Sequence, residues 1–249
     1  MNGRQRQVRR DAGQMRYTER DMWALTWIGD QYGIRFDQLQ WLLGQRAGGP
    51  MRSRVELGNA TVRDMIERWQ RAGLVEHRKF LVGQPGWVWL TRRGLEQMDL
   101  PYRVWEPQAS GLHHVYWCSQ MRLVLELRWA ARGHRAVWQS ERRLRYEEEQ
   151  QRREARAVGT TYTTSHLPDA VVEVDDKTIA VEVELTAKTG ARVRDIMRRV
   201  VWRYGRAWYF AAPAAATVVQ RAWSQLESSM QREVGLYTLE VEPLKNKQL

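Results

Sequence analysis

Between Pro168 and Thr186 the chain alternates in a way that a β-ribbon satisfies and a helix does not. Residues 170–174 and 178–186 are rich in Val, Ile and Thr, and Asp175-Asp176-Lys177 between them is turn chemistry. Side chains on a strand alternate with period two. Ile179, Val181, Val183 and Leu185 therefore share one face, and Ala180, Glu182, Glu184 and Thr186 the other. Asp169 sits at the mouth of the neighbouring strand, so three carboxylates converge on one sheet face. Such groups repel one another unless a cation lies among them, and Mg²⁺ binds through oxygen ligands of this kind. A second reading needs no ligand. A half-exposed strand alternates polar and apolar residues by itself, which would leave Glu182 and Glu184 as its solvent face.

The ribbon has neighbours to pack against. A long helix is predicted over 112–132, then a short strand over 136–138. Residues 142–156 are crowded with Arg and Glu and read as an exposed helix or loop. After the ribbon, Val193, Ile196, Met197, Val200, Val201 and Tyr204 recur at helical spacing over 191–204. Arg192, Arg194, Arg198, Arg199, Arg203 and Arg206 cover much of the remainder. A strand over 207–211, a helix through Val218, Val219, Ala222, Trp223 and Leu226, and a strand over 236–241 complete the pattern. Helix, hairpin, helix, strand is an α/β arrangement with one sheet flanked by helices. His113 and His114 open the long helix, and without a third ligand at suitable spacing they read as ordinary first-turn residues.

The first half reads differently. Thr18 and Asp21 have the spacing of a capping box, and Met22, Leu25, Ile28 and Tyr32 follow at helical intervals up to Gly33. A second helix spans 35–43, and a basic loop over 44–58 carries Arg52 and Arg54. Asn59 opens a third helix with Val62, Met65, Ile66 and Trp69 inward and Gly73 as its left-handed stop. Strands over 74–82 and 87–90 flank Gly83-Gln84-Pro85-Gly86, and Thr91 opens a further helix. Three helices followed by a β-hairpin describe a winged helix-turn-helix, whose third helix enters the major groove of DNA. Thr61, Arg63, Arg68 and Arg71 face outward there, and Arg78 and Lys79 lie on the hairpin. The organisation is then a basic arm over 1–17, a winged helix over 18–100, a linker over 101–111 and an α/β domain over 112–249.

Charge supports a polyanionic partner. Forty Lys and Arg against twenty-nine Asp and Glu leave a net charge of +11, and only five of the basic residues are lysine. The arginine fork suits phosphate, although a GC-rich genome would also enrich arginine. Cys118 is the one cysteine, which excludes an internal disulfide and a cysteine-rich zinc site. No run of about 20 apolar residues exists to cross a bilayer. The basic residues at 4 and 6 have no apolar run behind them, so no secretory signal is expected and a cytoplasmic, nucleoid- or plasmid-associated location is. Of the thirteen tryptophans, Trp69, Trp202, Trp208 and Trp223 read as core, and one of Trp87 and Trp89 as facing DNA.

Pro168-Asp169, twelve residues, then Glu182-Val183-Glu184 resembles the PD-(D/E)xK nuclease motif, and the order of elements resembles the restriction-endonuclease-like core. The pairing with a winged helix, and the phrases Trp138-Gln139-Ser140-Glu141-Arg142 and Pro168-Asp169-Ala170-Val171, resemble the replication-relaxation family of plasmids and mobile elements. The resemblance covers about residues 18–210. It implies a protein of double-stranded DNA that acts in plasmid replication, relaxation or transfer, with a homodimer or proteins of the same element as candidate partners. One position departs from the pattern: Glu184 stands where the motif has lysine, and Lys188 lies beyond the strand.

If active, the resemblance implies phosphodiester hydrolysis with Mg²⁺ or Mn²⁺ on Asp169 and Glu182. Glu184 would be a ligand or the group that orients water, and Glu141 would complete the shell. Arg142 and Arg143, or Arg198 and Arg199, would hold the phosphate backbone. Two rivals share the binding without the chemistry: an inactive nuclease-like accessory protein and a winged-helix transcription regulator.

Overall fold

The computed structural model describes residues 17–45, 56–164 and 166–239. Thr18 and Asp21 form the reciprocal cap that their spacing predicts. The Asp21 amide donates to Thr18 Oγ1 at 3.2 Å, and the Thr18 amide donates to Asp21 Oδ2 at 2.8 Å. From this start run α1 (Glu19–Asp30), β1 (Gly33–Arg35), α2 (Phe36–Gly44), α3 (Asn59–Arg71), β2 (Val75–Arg78), β3 (Trp87–Leu90) and α4 (Arg92–Gln97). The strands make an antiparallel sheet in the order β1-β3-β2. Sequence periodicity misses β1, because three residues are too few to show a period. The strand expected over 74–82 is shorter, with Leu81 turning back to accept from the Gln84 amide at 3.3 Å and Gly83 at φ +76°. Gly73, at φ +70°, ends α3 in the left-handed conformation that glycine adopts without a Cβ penalty.

The second half comprises α5 (Ala109–Ala131), β4 (Ala136–Ser140), α6 (Glu141–Ala157), β5 (Ala170–Val174), β6 (Lys177–Glu184), α7 (Gly190–Tyr204), β7 (Arg206–Ala211), α8 (Pro213–Ser224), α9 (Ser228–Glu233) and β8 (Val234–Thr238). It is an α/β fold with a mixed five-stranded sheet in the order β4-β5-β6-β7-β8. β4, β5 and β6 are antiparallel neighbours, while β6, β7 and β8 run parallel. The β5–β6 turn has both central residues at positive φ, Asp175 at +47° and Asp176 at +59°. That geometry matches the right-handed twist of the strands it joins, and Asp tolerates it better than most residues. A parallel neighbour needs a crossover, and α7 supplies it between β6 and β7.

Each sheet face has its own cover. Ala170, Val172, Val174, Ile179, Val181 and Val183 pack with α5. Ala180, Ala207, Tyr209 and Ala211 pack with the stripe of Val193, Ile196, Met197 and Val200 on α7 and with Ala215 and Val219 on α8. Helix α5 serves both halves: Leu123, Val124 and Leu127 join the core of α1–α4, and Leu112, Tyr116, Met121, Leu125 and Trp129 join the core of the large sheet. No helix among the described residues is long and apolar enough to cross a membrane.

Further sequence expectations change. Trp202 is 86% exposed rather than core, because Val200 and Val201 fill the inward positions of α7 around it. Trp87 and Trp89 are both buried against α5 and the large sheet, so neither faces solvent. Residues 142–156 are helical, and Arg142 is buried rather than part of an exposed face. Glu182 and Glu184 are each only 3% exposed, which overturns the solvent-face reading, since α7 and α8 cover that side of the sheet. Arg52 and Arg54, and all of the basic arm except Tyr17, lie outside the described residues.

Candidate functional site

The β5–β6 register builds the site. Ala170 pairs with Val181 and Val171 with Ala180, so Asp169, the residue before β5, lies at the level of Glu182 on the neighbouring strand. Asp169 is anchored at both oxygens. Oδ2 accepts from the Val183 amide at 2.7 Å, and Oδ1 lies 2.9 Å from Nε2 of His114 on α5. Glu182 Oε1 lies 2.7 Å from Nε2 of His166. These groups line one cleft of about 360 Å³, together with Glu141, Arg145 and Lys188.

Burial governs the protonation of Glu182. Loss of solvent pushes its carboxyl up to about 7, the charges of Asp169 and Glu184 push the same way, and the bond to His166 pulls back. His114 is held above the ordinary imidazole value by its bond to Asp169, and His166 by its bond to Glu182, with burial opposing both. The Tyr209 hydroxyl is buried and without a hydrogen-bond partner among the described residues. Tyr209 is the register partner of Glu182, and burial, then Glu182, Glu184 and Asp169, push its phenol well up. Of the oxygen donors that line the cleft, Asp169 and Glu182 are those that would hold an oxygen-preferring divalent ion, in exchange for their present bonds to His114 and His166.

The other acidic candidates are placed differently. Glu184 Oε1 lies 2.6 Å from Nζ of Lys188, and Glu184 does not line the cleft. The chain turns directly after β6, and that turn brings the lysine four positions on back over the strand end. Glu141 reaches the cleft too, and like Asp169 it has both oxygens engaged. Oε2 accepts from the Tyr32 hydroxyl at 2.8 Å and Oε1 from Arg145 Nε at 2.6 Å. Sequence reasoning misses both histidines as site residues. His166 stands three residues before Asp169, a proximity that could have singled it out, whereas His114 reaches the site only through the packing of α5.

The basic candidates also divide. Thr61, Arg63 and Arg71 on α3, and Arg78 and Lys79 after it, are exposed. Arg78 lies over the Phe80 ring at 4.5 Å. Arg68 is instead the ion-pair partner of fully buried Asp21, which also accepts from Trp69 Nε1 at 3.0 Å. Arg142 donates to the Gly29 carbonyl at 2.5 Å and to the Arg103 carbonyl, and it lies over the rings of Tyr32 and Tyr102 at 5.0 and 4.8 Å. It pins α6 to the end of α1 and presents nothing to a phosphate. Arg143, Arg198 and Arg199 form exposed pairs with Glu147, Glu227 and Asp195. Such surface pairs hold weakly and can exchange a carboxylate for a phosphate.

No family model, curated protein or solved structure matches this chain.

Proposed function

We propose that this chain binds duplex DNA through a winged helix and cleaves or nicks it with Mg²⁺ or Mn²⁺ in a restriction-endonuclease-like half, as the resemblance to the replication-relaxation family implies. The observation that carries the reading is Asp169, just before β5, and Glu182 on β6 lining one cleft with Lys188. The order helix, strand, two helices, two strands supports the winged helix, and the exposed Thr61, Arg63 and Arg71 support α3 as its groove-facing element.

In the reaction, a water oxygen attacks phosphorus, one P–O ester bond breaks, and the departing oxygen takes a proton to become a hydroxyl. The bound cation would acidify the attacking water and offset charge on the phosphate. Asp169, held by the Val183 amide, presents a fixed carboxylate. Lys188 and Arg145 line the cleft as cations for the phosphate oxygens. Glu184 then acts as a positioning residue, because its carboxylate holds the Lys188 ammonium at 2.6 Å. The lysine that the motif places two residues after Glu182 is thereby supplied from position 188.

Purified protein incubated with supercoiled plasmid and Mg²⁺ or Mn²⁺ should produce nicked or linear product. Asp169→Asn and Glu182→Gln should each lower the rate at least about 100-fold, since even indirect partners of a metal site cost about 10–100-fold. Plasmid affinity should stay within about threefold, since neither residue lies on the α3 surface. A second reading has one observation in its favour. His114 and His166 already occupy carboxylate oxygens of Asp169 and Glu182, as they would in an accessory DNA-binding protein without chemistry. Tight plasmid binding with no cleavage under either ion would decide for it.

A further inference from the structure

His114, Cys118 and Asp169 form a second donor set beside the carboxylate pair. The imidazole and the thiol stand four residues apart on α5, which places them on one helix face. That face meets the start of β5. Cys118 Sγ lies 3.5 Å from His114 Nε2, His114 Nε2 lies 2.9 Å from Asp169 Oδ1, and the three donor atoms all fall within 4.8 Å of one another. A tetrahedral ion with bonds of about 2.0–2.3 Å holds its ligands about 3.3–3.8 Å apart, so the cluster is near the required size before any adjustment.

We propose that these three side chains form a site for a thiophilic transition-metal ion of the zinc class, and that an ion bound there withdraws Asp169 from the Mg²⁺-dependent reaction. The second clause rests on the function proposed above; the first does not. One nitrogen, one sulfur and one oxygen donor select Zn²⁺ or Co²⁺ over Mg²⁺, which takes oxygen ligands and keeps its waters. Coordination releases the thiol proton to the buffer and leaves Cys118 as a thiolate. Three protein ligands leave one position of a tetrahedron for water, the arrangement of an open rather than a closed zinc site. Asp169 is the shared element. Its Oδ2 is fixed by the Val183 amide, so the carboxylate cannot swing away, and Oδ1 faces the helix donors. The two ions therefore compete for one carboxylate, and zinc would act as an inhibitor whose strength depends on Cys118, a residue outside the proposed hydrolysis.

The test is a Co²⁺ titration of the full chain, read by absorbance. Wild type should show the thiolate-to-cobalt charge-transfer band in the near ultraviolet and the visible bands of a tetrahedral ion, saturating at one equivalent and erased by Zn²⁺. Cys118→Ala should lose the charge-transfer band, and His114→Ala should weaken Zn²⁺ binding by at least about 10-fold, the floor set by losses of indirect metal partners. Circular dichroism confirms that each variant is folded; His114, with its side chain 45% exposed, is the safer of the two should Cys118→Ala unfold. No charge-transfer band in wild type, or a band that survives Cys118→Ala, overturns the site. If plasmid cleavage is found, Zn²⁺ should suppress it, and Cys118→Ala should raise the Zn²⁺ needed by at least about 10-fold. Unaltered inhibition in that variant would overturn the competition. Absence of cleavage leaves the cobalt spectrum fully decisive for the site itself.

Discussion

Glu182 shows how one buried carboxyl couples this site to the stability of the whole chain. Folding raises its affinity for a proton from the ordinary 4.5 to about 7, chiefly through loss of solvent. Its contribution to stability is therefore complete below about pH 4.5 and lost as pH rises through about 7. His114 and His166 are shifted upward as well, so their bonds stabilise below the ordinary imidazole value of 6.5 and fade as pH passes their raised folded values. All three groups act in one direction: the metal-free protein should lose stability as pH rises from about 4.5 through about 7. Each proton that the folded chain holds in excess contributes a slope of up to about 1.4 kcal/mol per pH unit. Urea midpoints measured in chelator across this range should fall more steeply for wild type than for Glu182→Gln, and coincident slopes would contradict the shift. The sequence makes the carboxylates legible through their period-two spacing and the preceding Pro-Asp. It leaves the histidines hidden, because an imidazole becomes a partner only where two distant segments meet.

At the level of elements, the parts with strong local signals are those that sequence reading recovers. The β5–β6 hairpin carries alternation and turn chemistry together, and β5 spans Ala170–Val174 as its residues predict. Helix α3 buries Val62, Met65, Ile66 and Trp69, the four residues that helical spacing selects. The misses have a common cause in tertiary context. β1 is too short for any period, Trp202 is an aromatic on an outward position, and Arg142 is an arginine whose carbonyl partners come from Gly29 and Arg103. The role of α5 is hidden for the same reason, since an apolar helix does not announce that it serves two cores. Leu123 is fully buried in the first core and sits two residues from Leu125 in the second. Leu123→Ala should cost about 2–5 kcal/mol, the range for a deleted buried Leu. Because one helix closes both cores, hydrogen exchange should accelerate in β3 and in β6 together, and acceleration confined to β3 would show that the halves unfold separately.

Across the whole molecule, the surplus of eleven positive charges is not spread over equivalent arginines. Some are structural: Arg68 neutralises buried Asp21, and Arg142 satisfies two carbonyls beneath two tyrosine rings. Others, such as Arg63 on α3, are exposed and available to phosphate. Counterion release separates the two kinds, because each phosphate neutralised adds about 0.9 to the slope of log affinity against log salt. If the chain binds duplex DNA as proposed, its affinity should weaken steeply with salt. Arg63→Ala should reduce the slope by about 0.9 while leaving the urea midpoint in place. Arg142→Ala should behave in the opposite way. It leaves the Gly29 and Arg103 carbonyls without their donors, at about 1–3 kcal/mol for each group that stays buried, and should lower the urea midpoint with the salt slope unchanged. Net charge falls by one in both variants, so a mere charge effect would move both slopes equally. An Arg63→Ala slope equal to that of wild type would place the DNA on a different face from α3, and a reduced slope in Arg142→Ala alone would place it beside α6.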